Sequence, residues 1–152
     1  MIRLIGYGNP GRGDDGLGPA LASRMADVAG LAVTTEYQLT VDHALLIADA
    51  EMVIFADALL HADVPFTFTQ VTPSTSHDVT SHSLSPQAVL ALCNTLYGHA
   101  PEAYVLGIAG HEFGEVKEGL SPLAQSNLSF AESLLRDWLT ENNRAVGGLA
   151  NA

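Results

Sequence analysis

Apolar residues in this chain come in short blocks, and the spacing inside a block changes from one element to the next. Ile2, Leu4 and Ile5 form a brief run that predicts a buried strand. Residues 6–13, GYGNPGRG, hold too many turn formers to extend that strand or to open a helix. Leu17, Leu21, Met25 and Val28 then recur at helical spacing and Gly30 is placed to stop them, which predicts a helix over 17–29. The β-branched stretch 31–37 predicts a second strand, and Thr40 an N-cap for a short helix over 41–50. Residues 52–58, MVIFADA, are almost wholly apolar, as in a strand covered on both faces, and Asp57 closes the run. Residues 66–71, FTFTQV, alternate, which suits a less buried or edge strand. Ser85-Pro86 supplies an N-cap and a first helical position for a helix reaching Tyr97. A fifth strand is predicted over 103–108. Ser121-Pro122 opens a last helix through Leu128, Leu134, Leu135, Trp138 and Leu139. Past that the pattern lapses, so one domain is expected over 1–140 with a loose tail over 141–152.

Strands alternating with helices predict a three-layer α/β/α sandwich around a mostly parallel sheet. The link between the third and fourth strands is too short for a parallel crossover, so the fourth strand is expected to run antiparallel. If the first two helices cross right-handedly to opposite faces, the first and third strands are neighbours. Ligands in such sheets lie outside the carboxyl ends of the strands, where strand order reverses. That edge is where the opening loop with Asp14 and Asp15 should meet Asp57, and where His82, just before the 86–97 helix, should arrive.

Two carboxylates and an imidazole suit a divalent cation such as zinc, nickel or manganese, with open positions for water or substrate. Each residue also has a plain structural role available. Asp14 or Asp15 can cap the first helix, Asp57 can face water, and His82 can be a surface histidine; their convergence is what points to a site. His61, Asp63, His77, His111 and Glu112 are further polar residues near the same edge, expected as surface or substrate contacts. Cys93 lies in an Ala/Leu-rich helix and reads as a small buried hydrophobe.

The net charge of −11 speaks against nucleic acid and anionic membranes as partners. No apolar run approaches a membrane span, and the N-terminus lacks the layout of an export signal, so a cytoplasmic protein is expected. One cysteine excludes an internal disulfide and a multi-cysteine metal site.

Two readings of the opening loop compete with a cation site. Gly6-Tyr7-Gly8-Asn9-Pro10-Gly11 spells the dinucleotide fingerprint, with Glu36 near the place of a ribose-binding acid. Against it, the loop is prolonged by Pro10, Gly11 and Gly13, and Asp14 and Asp15 would repel a phosphate at the helix start. GYGNPG also looks like the opening of the peptidyl-tRNA hydrolases. That family carries a Thr-Arg-His-Asn stretch next, where this chain has Gly16-Leu17-Gly18-Pro19 and no histidine.

A wider likeness covers about residues 1–140. Gly6-Tyr7-Gly8-Asn9 through Asp14-Asp15-Gly16-Leu17-Gly18, the strand ending Ala56-Asp57-Ala58, Ser81-His82-Ser83-Leu84, Gly107-Ile108 and Gly119-Leu120-Ser121-Pro122 resemble the nickel–iron hydrogenase maturation proteases. The resemblance implies a five-stranded mixed sheet with one antiparallel strand. It implies endoproteolytic removal of the C-terminal extension from a hydrogenase large-subunit precursor, after nickel insertion. The family's metal-contacting residues fall on Asp15, Asp57 and His82. The cation would be nickel carried by the substrate, or another divalent ion such as zinc at the same place. Members often have Glu where this chain has the shorter Asp15. The stretch from Glu36 through Gln38 to Leu39 resembles the branch serving soluble hydrogenases. A monomer is expected. The glycines of the opening loop would then serve to turn the backbone and leave room for the substrate's C-terminal segment.

Overall fold

A computed structural model describes residues 1–60, 62–75, 84–114 and 116–150, with the side chains of 143–150 left aside. Five strands form one sheet: β1 (Ile2–Tyr7), β2 (Leu31–Glu36), β3 (Met52–Leu59), β4 (Phe66–Val71) and β5 (Glu102–Ala109). Their order across the sheet is β2-β1-β3-β5-β4. All neighbours pair in parallel except β4 with β5, which are antiparallel. The adjacency of β1 and β3 and the reversed β4 follow the expectation from crossover handedness and link length.

Four helices cover the sheet: α1 (Leu17–Arg24), α2 (Asp42–Ile47), α3 (Pro86–Tyr97) and α4 (Pro122–Ala150). Strand parity sends Ile54, Ala56, Leu106 and Ile108 toward α1 and α4, where they meet Leu17, Leu21, Leu128 and Leu135. The alternate residues Ile5, Val53 and Phe55 pack with Ala44, Ile47, Val89, Leu90 and Cys93 beneath α2 and α3. Cys93 is fully buried there, as its apolar setting predicts. At the β4/β5 border, Phe68, Tyr104 and Trp138 form an aromatic cluster with ring centroids 4.8–5.3 Å apart, seating α4 on the sheet.

Three element boundaries differ from the sequence pattern. α1 ends at Arg24, not at 29, because the chain turns at Met25 and Val28 reaches the same core from that turn. α2 is shorter than expected and Thr40 does not cap it with its hydroxyl; the His43 ring instead folds back, its Nδ1 accepting the Thr40 N–H at 2.9 Å. The backbone of 141–150 is helical, continuing α4 where a loose tail was expected. The Asn142 amide donates to the Trp138 carbonyl at 2.8 Å along it. α3 matches its prediction, with the Ser85 hydroxyl accepting the Ala88 N–H at 3.1 Å and Gly98 closing the helix at φ 80°.

Candidate functional site

The opening loop is a closed hydrogen-bond system. Gly8 N–H donates to the Glu36 carbonyl, Arg12 N–H to Asn9, Gly13 N–H to Lys117, Asp14 N–H to Glu112 and Asp15 N–H to Arg12. Gly11 N–H donates to the Asn9 side-chain oxygen at 2.9 Å, and Asn9 N–H to the Asp15 carboxylate at 2.7 Å. Every amide from Gly8 to Asp15 therefore has a partner inside the protein, Pro10 having none to offer. A phosphate cradle needs those amides free and pointing at the ligand. The dinucleotide fingerprint is thus present in letters and absent in function of the backbone.

The two aspartates at the end of the loop part ways. Asp14 is completely buried, between the loop after β5 and the start of α4. Its carboxylate accepts four hydrogen bonds: the N–H groups of His111 (2.7 Å), Glu112 (2.8 Å) and Ser121 (2.7 Å), and the Ser121 hydroxyl (2.6 Å). Ser121 in turn accepts the Ala124 N–H at 3.2 Å at the start of α4. Burial would raise this carboxyl, but the donors from Glu112, Ser121 and His111 outweigh it and hold the group below the usual carboxylate range. Neither Asp14 nor Asp15 caps the first helix by its side chain. Asp14 instead ties the loop to the start of α4, more than a hundred residues away.

Asp15 is half-buried and faces the carboxyl edge of the sheet, with one oxygen on the Asn9 N–H. Asp57 reaches the same edge from the end of β3. Gly6 is paired with Ala56 in register, so Asp57 stands beside Tyr7, and both share the α2/α3 face by parity. One Asp57 oxygen accepts the Ala58 N–H at 2.8 Å. Burial pushes this carboxyl up to about 6; the Ala58 N–H and the Tyr7 hydroxyl oppose the rise, and the Asp15 charge adds to it. Burial and the Asp57 charge together push the Tyr7 phenol well above its ordinary value, so it stays a neutral donor to Asp57. Among the described residues no lysine or arginine pairs with either carboxylate. Two carboxylates that repel each other, each with an oxygen not committed to a backbone amide, are a donor set that a cation would complete.

His82, His61 and His77 lie outside the described residues. Leu84 is described, and its N–H donates to the Leu39 carbonyl at 3.1 Å, beyond the end of β2. Asp63 is exposed in the turn after β3. His111 and Glu112 line a separate cleft of about 280 Å³ with Gly13, Phe113 and Lys117, and the Glu112 carboxylate is held by the Lys117 ammonium at 2.8 Å. Among the described residues no three histidines, cysteines or acids gather as a metal cluster. Tyr7 was not singled out in the sequence. The signal for it was its parity with Ile5 on a strand adjacent to the one ending in Asp57.

The loop glycines do not hold space open for a substrate. A Cβ on Gly8, whose φ is 142°, would collide with the Asp15 carbonyl, and one on Gly18 would collide with the Ala56 and Tyr7 carbonyls. The room they leave is filled by the protein itself, which presses α1 and Asp15 against the strand ends. The open space lies beside the loop instead, in a cleft of about 280 Å³ walled by Gly8, Pro10, Pro19, Thr35, Glu36 and Tyr37.

Solved structures share this whole architecture. The hydrogenase maturating endopeptidase HybD from E. coli superposes with a TM-score of 0.76 over 93% of each chain, at 17% identity. The fold is that of the hydrogenase maturation proteases. HycI from Thermococcus kodakarensis, a NiFe hydrogenase maturation protease, gives 0.69 at 21% identity over 92% of each chain. A hydrogenase 2 maturation peptidase from a Thaumarchaeota archaeon gives 0.68 at 19% identity, over 92% of this chain and 98% of that one. No family model and no curated protein matches the chain in sequence. The present chain has the mixed five-stranded sheet of the expectation, with its single antiparallel edge strand. No helix among the described residues is long and apolar enough to cross a membrane.

Proposed function

We propose that this protein is an endopeptidase that removes the C-terminal extension of a nickel–iron hydrogenase large-subunit precursor after nickel insertion. The observation that carries the reading is the Asp15–Asp57 pair: two carboxylates brought together from distant segments at the carboxyl edge, close enough that one charge raises the other's pKa. Its fold neighbours are named for hydrogenase maturation. Nickel is here part of the substrate, and Asp15, Asp57 and His82 are its proposed contacts. The same donors would accept another divalent cation such as zinc. A neutral phenol on Asp57 keeps that carboxylate oriented. A carboxylate of the pair acting as base on a water suits peptide hydrolysis. The protein is proposed to act as a cytoplasmic monomer.

The deciding experiment mixes the protein with nickel-loaded and nickel-free precursor and follows precursor mass. Cleavage of the nickel-loaded form alone is expected. If both forms stay intact, the protease reading fails; if both are cut, nickel is not the recognition element.

A further inference from the structure

The cations of this chain are segregated. Every lysine and arginine lies in 3–24 or 117–144, and the long stretch between holds acids but no lysine or arginine at all. That stretch builds β2, α2, β3, β4, α3 and β5, so the layer of α2 and α3 carries none of its own. Arg24 and Arg136 lie on the other layer, paired with Glu132 and Asp27. Arg3 reaches the α2 side only at the amino edge, where it meets Asp49 at 3.4 Å.

Among the described residues of this layer, Tyr37, Val41 and Leu45 form an exposed apolar ridge. Tyr37 is 73% exposed, Val41 62% and Leu45 64%. Val41 and Leu45 are one helical turn apart at the start of α2, on the same outward line. Glu36 and Asp42, both exposed, flank them. Among the described residues, the nearby group able to carry positive charge is His43, 3.6 Å from the Glu36 carboxylate. Its Nδ1 accepts the Thr40 N–H, and its Nε2 faces the Glu36 carboxylate. The ridge is continuous with the candidate site. Glu36 and Tyr37 also wall the cleft beside the opening loop, and Gly8 is bonded to the Glu36 carbonyl. Strand spacing puts β2 roughly 10 Å from β3 and Asp57.

We infer that Tyr37, Val41 and Leu45, flanked by Glu36 and Asp42, form the surface on which the precursor's folded body docks, through an apolar contact ringed by lysine and arginine. The inference rests on the processing reading and adds to it the place and chemistry of recognition. Charge decides the occupant. A second copy set symmetrically on this ridge would bring Glu36 and Asp42 against themselves, which is unfavourable. A basic surface gains both steering and register from the same acids.

The test uses the whole enzyme and the nickel-loaded precursor, with initial cleavage rates at 50 and 300 mM NaCl. The variants are Asp42→Lys/Leu45→Lys and the milder Val41→Ser/Leu45→Ser, with Asp137→Lys on α4 as the control. Retained circular dichroism and melting temperature establish folding. The charge-reversed variant is expected to raise KM at least tenfold with kcat within twofold, and to lose most of the salt dependence. The serine pair is expected to raise KM several-fold while keeping that dependence, and the control to match wild type. Wild-type cleavage with unchanged KM in both ridge variants overturns the docking surface alone. A wild type that leaves the precursor whole overturns the processing reading, and the docking proposal falls with it. A wild-type dimer in light scattering that the ridge variants dissociate assigns the ridge to a second copy and also overturns it.

Discussion

Asp14 and Asp15 are neighbours in sequence, yet the carboxylates at this corner belong to two different electrostatic regions. Around Asp14 there are more donors than one carboxylate needs: three amides and a hydroxyl within 2.8 Å, in a fully buried setting. Around Asp57 there are fewer among the described residues: one amide, one phenol and a second negative charge. The first group is held below the carboxylate range and the second pushed to about 6. Donor count, not residue type, separates a structural carboxylate from one poised to take a cation. It also separates regions that stabilise the fold from regions that weaken it for the sake of a site.

Removing the starved carboxylate should cost most in activity and least in fold. Asp57→Ala is expected to lower precursor cleavage by at least roughly two orders of magnitude with an unchanged circular dichroism spectrum. Asp15→Ala and His82→Ala are expected to do the same. Near-normal processing by all three would falsify the site. Removing the saturated carboxylate should do the reverse. Asp14→Asn turns amide hydrogens toward buried donors and should lower stability by about 3 kcal/mol or more, a fall of roughly 10 °C in melting temperature. A melting temperature within a degree of wild type would mean the four hydrogen bonds contribute nothing net.

The pH dependence of the two regions should have opposite sign. The folded state holds the Asp57 proton more tightly than the unfolded chain does, so between about pH 4 and pH 6 the native protein carries the extra proton and loses stability as pH rises. Above that window the penalty is constant. Asp57→Asn should therefore stabilise the metal-free protein at pH 7 by about 1–3 kcal/mol, and the gain should vanish below pH 4. Denaturant melts at both pH values decide this; equal stability at pH 7 removes the claim that Asp57 is strained. Asp14, with its lowered carboxyl, contributes stability that is present at neutral pH and lost on acidification. The smallest effect is expected from Tyr7→Phe. Removing one donor to a charged group should reduce processing by about tenfold or less; a loss as large as that of Asp57→Ala would show the phenol to be more than an orienting donor.

Much of the frame was legible in the sequence because it follows from local patterns. Ser85-Pro86 announced α3, the short connection after β3 announced the reversed β4, and crossover handedness placed β1 beside β3. The Asp57 end of an apolar run was equally readable. The division of labour between Asp14 and Asp15 was not, because the donors that decide it come from His111, Glu112 and Ser121, and no spacing in 6–18 encodes them. Val28 misled for a related reason: it keeps helical spacing and buries itself, but from a turn after the helix has ended. The dinucleotide spelling misled because a motif in letters says nothing about whether its amides are free. The absence of lysine and arginine between Met25 and Val116 gains its meaning from the topology, which builds the α2/α3 layer wholly from that stretch.

The aromatic cluster at the far border of the sheet has a practical consequence. Trp138 is the chain's one tryptophan, and its ring lies against Phe68 and Tyr104 on the α1/α4 side, with the whole sheet between it and Asp57. Its emission therefore reports the docking of α4 and is blind to a cation or a peptide arriving at the opposite face. Tryptophan fluorescence can follow unfolding of this protein cleanly, while ligand binding has to be read through the tyrosines at the other edge, Tyr7 and Tyr37.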